Sequence, residues 1–143
     1  MNDINWNFDN SYSKLPEAFR ENIEPVKVNN PKLILLNENL AADLNLNFSK
    51  TNNAQLSALF AGNLLPKNSN SIAQAYAGHQ FGHFTMLGDG RAVLIGEHLT
   101  NANKRYDIQF KGSGKTSFSR NGDGRAALGP MLREYIISEA IYN

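Results

Sequence analysis

Apolar positions along this chain fall in short blocks separated by polar and glycine-rich stretches. Residues 1–30 are polar, with scattered anchors at Trp6, Phe8, Tyr12, Leu15 and Phe19, and read as an arm packed on the remainder. Pro16 suits the first turn of a short helix reaching Arg20. After Pro31, the run Lys32-Leu33-Ile34-Leu35-Leu36 predicts a short strand. Asn37 is placed to cap a helix carrying Leu40, Ala41 and Leu44 on one face. A second helix is expected over 54–61, with Leu56, Leu59 and Phe60 inward and Gly62 as its stop.

Residues 64–71 read as a loop. Residues 72–84 mix Ala, Tyr, Gly, His, Gln and Phe with no clean period, so the pattern assigns them no element. Gly88-Asp89-Gly90-Arg91 is a turn. Residues 92–99 predict a strand and 100–105 a polar turn. Residues 106–111 then alternate apolar and polar as a half-buried strand does, completing a hairpin. Lys111 ends that strand and opens a loop over 112–124. A last helix runs from about Pro130 to 141, its stripe of Leu132, Tyr135, Ile136 and Ala140 marking core or interface. The pattern stops at Asn143 without a cap signal. The sum is an α+β domain over 31–143 with a preceding arm.

A chain of 143 residues, 41% hydrophobic, suits one domain with a packed core. No cysteine is present, which excludes disulfides, thiolate metal sites and a cysteine nucleophile, and fits a reducing compartment. No apolar run approaches the ~18 residues of a membrane span. The start lacks a basic region followed by an apolar block. A soluble, cytoplasmic protein without membrane contact is expected. The net charge of +1 argues against a global nucleic-acid binder. Residues 104–125 hold six bases against two acids, a local +4, leaving −3 for the rest. A basic, glycine-rich block on a near-neutral chain points to one anionic ligand.

Three glycine pairs carry the candidate chemistry: Gly88-x-Gly90, Gly112-x-Gly114 and Gly122-x-Gly124. A single Gly-x-Gly marks a tight turn as readily as an anion site. Three of them beside Arg91, Lys111, Lys115, Arg120 and Arg125 favour phosphate, because glycine lets backbone N–H groups approach it. Gly112-Ser113-Gly114-Lys115-Thr116 imitates the end of a Walker A loop, but Gln109 stands where its first glycine belongs. Gly122-Asp123-Gly124-Arg125-Ala126-Ala127 has dinucleotide-fold spacing, but no strand runs into it. A strand lysine with an acid on the next helix is a third arrangement, found in kinases; Lys111 and Glu134 have that order. A solvated lysine and an exposed helical acid would have it too. His79 and His83 have the spacing of a helical zinc pair, but Gly78 and Gly82 oppose a helix and no third ligand is evident.

Taken together, the blocks Ala73-Gln74-Ala75-Tyr76-Ala77-Gly78-His79-Gln80-Phe81-Gly82-His83-Phe84, Leu87-Gly88-Asp89-Gly90-Arg91-Ala92, Lys111-Gly112-Ser113-Gly114, Ser119-Arg120-Asn121-Gly122-Asp123-Gly124-Arg125-Ala126-Ala127-Leu128-Gly129-Pro130 and Leu132-Arg133-Glu134-Tyr135-Ile136-Ile137-Ser138-Glu139-Ala140 resemble the selenoprotein O family. The likeness is dense from about residue 72 onward and looser before. It implies the N-terminal lobe of a protein-kinase-like fold and an enzyme that transfers AMP from ATP to Ser, Thr or Tyr hydroxyls of proteins. It assigns Gly88, Gly90, Arg91, Lys111, Asp123 and Gly124 to nucleotide contact and Glu134 to orienting Lys111. It also implies Mg2+ or Mn2+ in a several-fold longer protein, whose catalytic aspartate and metal ligands lie downstream of this chain. The expectation is therefore an inactive, carboxyl-truncated fragment that self-associates through its last helix. The rival reading is a stand-alone module that binds a phosphorylated ligand or single-stranded nucleic acid through residues 104–125.

Overall fold

The computed structural model describes residues 4–142, so the readings placed on Met1-Asn2-Asp3 and on Asn143 lie outside the described residues. The strands are β1 (Arg20–Asn22), β2 (Ile72–Gln80), β3 (His83–Gly88), β4 (Ala92–Leu99) and β5 (Arg105–Lys111). The helices are α1 (Glu38–Asp43), α2 (Asn53–Phe60) and α3 (Leu128–Tyr142). The five strands form one antiparallel sheet in the order β1-β2-β4-β5, with β3 paired to β2. The architecture is α+β.

β4 is the sheet's buried strand: Val93 to His98 are all inaccessible, a continuous run rather than an alternating one because both of its faces are covered. The expected hairpin with β5 forms, and its register places Ala92 opposite Lys111. A bulge between Leu94 and Gly96 interrupts the ladder. The strands β2 and β4 meet at the single pair Ile72 and Leu94.

Local signals set the helices. The Asn37 side chain accepts the Leu40 N–H at 3.0 Å, as its capping role requires. Asn52 and Gln55 close a reciprocal capping box on α2. Gly62 follows α2 at φ +78°, a backbone state open to glycine without strain. Ile4, Ala41, Leu44, Leu46 and Leu59 form the helical core, with Trp6, Phe48 and Ile108 packed against it.

The N-terminal segment is bound along β4. The Asp9 N–H donates to the Glu97 carbonyl and the Leu99 N–H to the Asn7 carbonyl, both at 2.9 Å. The buried Glu97 carboxylate accepts the Tyr12 N–H at 2.6 Å and the Ser11 hydroxyl at 2.7 Å. Arg105 bridges Glu97 and Asp9, and its guanidinium holds the Asp9 carboxyl below its ordinary range.

Several expectations are corrected. Lys32 to Leu36 forms no strand and joins no ladder; the Leu33 N–H goes to the Ser57 hydroxyl at 2.8 Å instead. Pro16 precedes a single 3-10 turn, Glu17–Phe19, and Arg20 already belongs to β1. Leu15, Phe19, Leu40 and Phe60 are exposed rather than inward. Residues 72–84 form most of a hairpin, which places His79 and His83 on facing strands and removes the helical spacing. On α3, Met131, Tyr135 and Glu139 lie half-buried toward the domain, whereas Leu132, Ile136 and Ala140 are exposed. Asn37 donates to Glu139 at 2.7 Å and Tyr142 to Asp43 at 3.2 Å, fixing that helix against α1.

Candidate functional site

Two copies of one tetrapeptide, Gly88-Asp89-Gly90-Arg91 and Gly122-Asp123-Gly124-Arg125, line an open cleft of about 590 Å³. The first runs from the last residue of β3 through the turn into β4, and the second lies in the loop between β5 and α3. Three hydrogen bonds fasten that loop to the first tetrapeptide. The Gly112 N–H donates to the Arg91 carbonyl at 2.6 Å, and the Thr116 hydroxyl to the Asp89 carbonyl at 2.7 Å. The Ser119 hydroxyl donates to the Gly90 carbonyl. The Gly114 N–H closes the loop on itself by donating to the Gly124 carbonyl at 3.1 Å.

This packing gives two of the glycines a role that their sequence pattern did not suggest. A Cβ on Gly90 would stand 2.7 Å from the Phe118 carbonyl oxygen, and a Cβ on Gly88 would enter the Phe118 ring. Both are therefore required by loop packing, whatever approaches them from the cleft.

Four cations line the cleft in different states. Lys111 donates to Glu134 Oε2 at 2.7 Å, both side chains being about half exposed. An exposed pair of this kind adds only about 0–1 kcal/mol to stability, so its main effect is to fix where the ammonium points. Arg125 reaches the Val26 carbonyl at 3.4 Å. Arg120 lies 4.9 Å over the Phe81 ring. Arg91 has no side-chain hydrogen bond or ion pair among the described residues.

Two carboxylates share the cleft. Asp123 Oδ1 accepts the Arg125 N–H at 2.9 Å, an Asx-type turn that shapes the loop. Asp89 Oδ2 accepts from the Gln74 N–H at 3.1 Å and the Gln109 amide at 3.3 Å. Burial pushes the Asp89 carboxyl above its ordinary range, and those two bonds partly pull it back.

Gly88, Gly90, Arg91, Lys111, Asp123 and Gly124 are thus brought together on one cleft, with Glu134 behind Lys111. Sequence reasoning missed Asp89, Gln109 and Phe118 as cleft residues, and it counted Arg120 only among the bases beside the glycine pairs. The tetrapeptide repeat was the available signal for Asp89, since it occupies the position that Asp123 has in the second copy. The basic block is divided by the fold. Arg105 and Lys111 cap opposite ends of β5, roughly 20 Å apart at strand rise. Lys115 is exposed but outside the cleft lining.

Among the described residues, no group of three or more His, Asp or Glu side chains is disposed to hold a metal ion. Asp89 spends one carboxylate oxygen on Gln74 and Gln109, and Asp123 one on the Arg125 N–H. Among the same residues, no helix is long and apolar enough to cross a membrane.

The fold and cleft define an α+β domain that presents cations and glycine backbone from two turns to one pocket of small-ligand size. The sequence profile of the family described as protein adenylyltransferase SelO matches residues 2–143. The chain belongs to that family. It is 72% identical over 97% of its length to a protein of Pelagibacter ubique named protein nucleotidyltransferase YdiU. Proteins of the same name from Nitrosococcus oceani and Anoxybacillus flavithermus are each 61% identical, over 98% and 96% of this chain. The chain spans only 28–29% of the length of these relatives.

Proposed function

We propose that the cleft binds ATP and that the full-length protein transfers its AMP moiety to Ser, Thr or Tyr hydroxyls of proteins. On this reading residues 31–143 are the nucleotide-holding lobe of a protein-kinase-like fold, residues 1–30 an arm upon it, and the catalytic lobe lies outside this chain. The observation that carries the reading is the meeting of Gly88, Gly90, Arg91, Lys111, Asp123 and Gly124 on one cleft, with Lys111 held by Glu134.

Lys111 and Arg91 meet the phosphates, and Glu134 keeps the Lys111 ammonium directed between strand and helix. The acceptor hydroxyl oxygen attacks the α-phosphorus, the bond to the β-phosphate oxygen breaks, and pyrophosphate leaves with its electron pair. The hydroxyl proton passes to a base. That base, an aspartate, and the donors for Mg2+ or Mn2+ belong to the remainder of the longer protein, so the chain alone transfers no AMP. A cytoplasmic site fits the absence of cysteine.

The test is titration of the full-length protein with a non-hydrolysable ATP analogue at several salt concentrations. Saturable binding with a shallow salt slope, weakened by Lys111→Ala, is expected. A steep slope shared with single-stranded nucleic acid would favour the polyanion module. The division of residues 104–125 between two ends of β5 speaks against that module.

A further inference from the structure

Arg120 is a cleft cation to which the nucleotide site as described gives no contact. It sits at the crest of the loop between β5 and α3 at φ +55°, a backbone state that a residue with a Cβ seldom adopts. The turn is held by the Gly122 N–H on the Ser119 carbonyl at 2.9 Å and by the Ser119 hydroxyl on the Gly90 carbonyl. The backbone is therefore fixed to the first tetrapeptide, and the side chain forms part of the cleft lining.

What it meets there is not a carboxylate. The guanidinium lies 4.9 Å from the ring centroid of Phe81, and it has no hydrogen bond or ion pair among the described residues. Phe81 is itself at φ +59° and, with Gly82 at φ +81°, forms the two-residue turn joining Gln80 to His83. Two left-handed turns thus touch through this contact. An exposed cation–π contact is weak compared with a charge-assisted bond to phosphate. It leaves all five guanidinium donors without a protein partner among the described residues.

We propose that Arg120 is a further phosphate-binding residue of the cleft, held at its mouth by the Phe81 ring and transferred to the nucleotide's outer phosphates when these enter. The inference rests on the ATP reading of the cleft. Phe81 acts through Arg120: it positions the guanidinium and does not touch the ligand.

The test uses the full-length protein, with binding of a non-hydrolysable ATP analogue and of adenosine measured by calorimetry. Arg120→Gln keeps an unbranched, polar, though shorter, side chain under the same backbone demand and removes the charge. It is expected to weaken the ATP analogue by about tenfold or more and to leave adenosine unchanged. Phe81→Leu is expected to weaken the analogue a few-fold, and to have no further effect when Arg120 is already Gln. Lys111→Ala serves as the reference. If that variant loses nothing, the ATP reading of the cleft fails; if it loses affinity and Arg120→Gln does not, only the present inference fails. Equal losses of analogue and adenosine in Arg120→Gln, or additive effects of the Arg120 and Phe81 substitutions, would overturn it by showing a structural role.

Discussion

The ammonium of Lys111 donates to Glu134 Oε2 at 2.7 Å, tying the last residue of β5 to the first half of α3. If the pair serves a bound phosphate, its two members are coupled in affinity. Lys111→Ala in the full-length protein should cost on the order of 1.5–3 kcal/mol of ATP binding. Glu134→Ala should cost less, and little once Lys111 is gone. Lys115→Ala, with the same charge removed outside the cleft lining, should be mild. Equal losses at Lys111 and Lys115 would reduce the site to a general positive field.

Gly90 is expected to reject any side chain. Gly90→Ala drives a methyl to 2.7 Å from the Phe118 carbonyl, which is backbone and cannot rotate away. A loss of about 1–3 kcal/mol is expected, as for overpacking elsewhere. Gly78→Ala is the control, because nothing lies within 4 Å of the point its methyl would occupy. Chemical denaturation of the two variants checks this; a neutral Gly90→Ala would mean the loop does not pack on the tetrapeptide.

Much of this was legible in the residues. The Asn37 cap, the Gly62 stop and the β4–β5 hairpin follow from local chemistry that the tertiary fold leaves intact. The strand expected at Lys32 to Leu36 failed because an apolar run shows what wants burial, not which backbone will pair with it. There a side chain, Ser57, took the Leu33 donor. The β2–β3 hairpin was invisible for two reasons. Tyr76, Phe81, Phe84 and Met86 are more than half exposed, so no alternation was imposed, and the turn puts phenylalanine rather than asparagine or glycine first. The cleft residues named from family likeness line one cleft, and the tetrapeptide repeat could have pointed to Asp89, whereas the place of Arg120 required the folded loop to be seen.

Asp89 carries a pH signature. Burial raises its folded pKa above the unfolded value, so the native state binds the proton more tightly. Stability from this group therefore falls as pH rises from the ordinary carboxylate range, about 3.9, through the raised value. Asp89→Asn keeps an oxygen to accept from Gln74 and Gln109 and has no such slope. Urea midpoints measured from pH 4 to pH 7 should show the variant gaining on the parent as pH rises. A parallel pair of curves would contradict the burial argument.

His98 is a structural pin of the core. At 1% exposure, it accepts the Asn7 N–H on Nδ1 at 3.1 Å, which leaves Nε2–H to donate to the Leu44 carbonyl at 2.7 Å. Trp6 and Phe8 stand edge-on to its ring at 5.8 and 6.3 Å. His98→Ala removes an aromatic body and leaves two backbone groups unpaired, so a loss of roughly 3–5 kcal/mol is expected. His98→Gln, able to serve only one of the partners, should recover part of it. Thermal melts order the three proteins, and an alanine variant within about 1 kcal/mol of the parent would refute the role.

The outer face of α3 carries several exposed apolar side chains. Leu132, Ile136, Ile137 and Ile141 are exposed on it, at 36%, 62%, 58% and 80%. Contiguous apolar surface of a few hundred square ångströms is uncommon on soluble monomers, and its burial yields about 25 cal/mol per Å². The chain is therefore expected to self-associate in a concentration-dependent way, more strongly with added sulfate and less in the cold. Ile136→Lys with Ile141→Lys places two like charges on the face without touching Met131 or Tyr135, whose side chains face the domain. Sedimentation should show the parent in mass-action exchange between monomer and larger species and the double variant as a monomer of unchanged fold. A parent that stays monodisperse and monomeric at high concentration would show that the exposed face does not drive association.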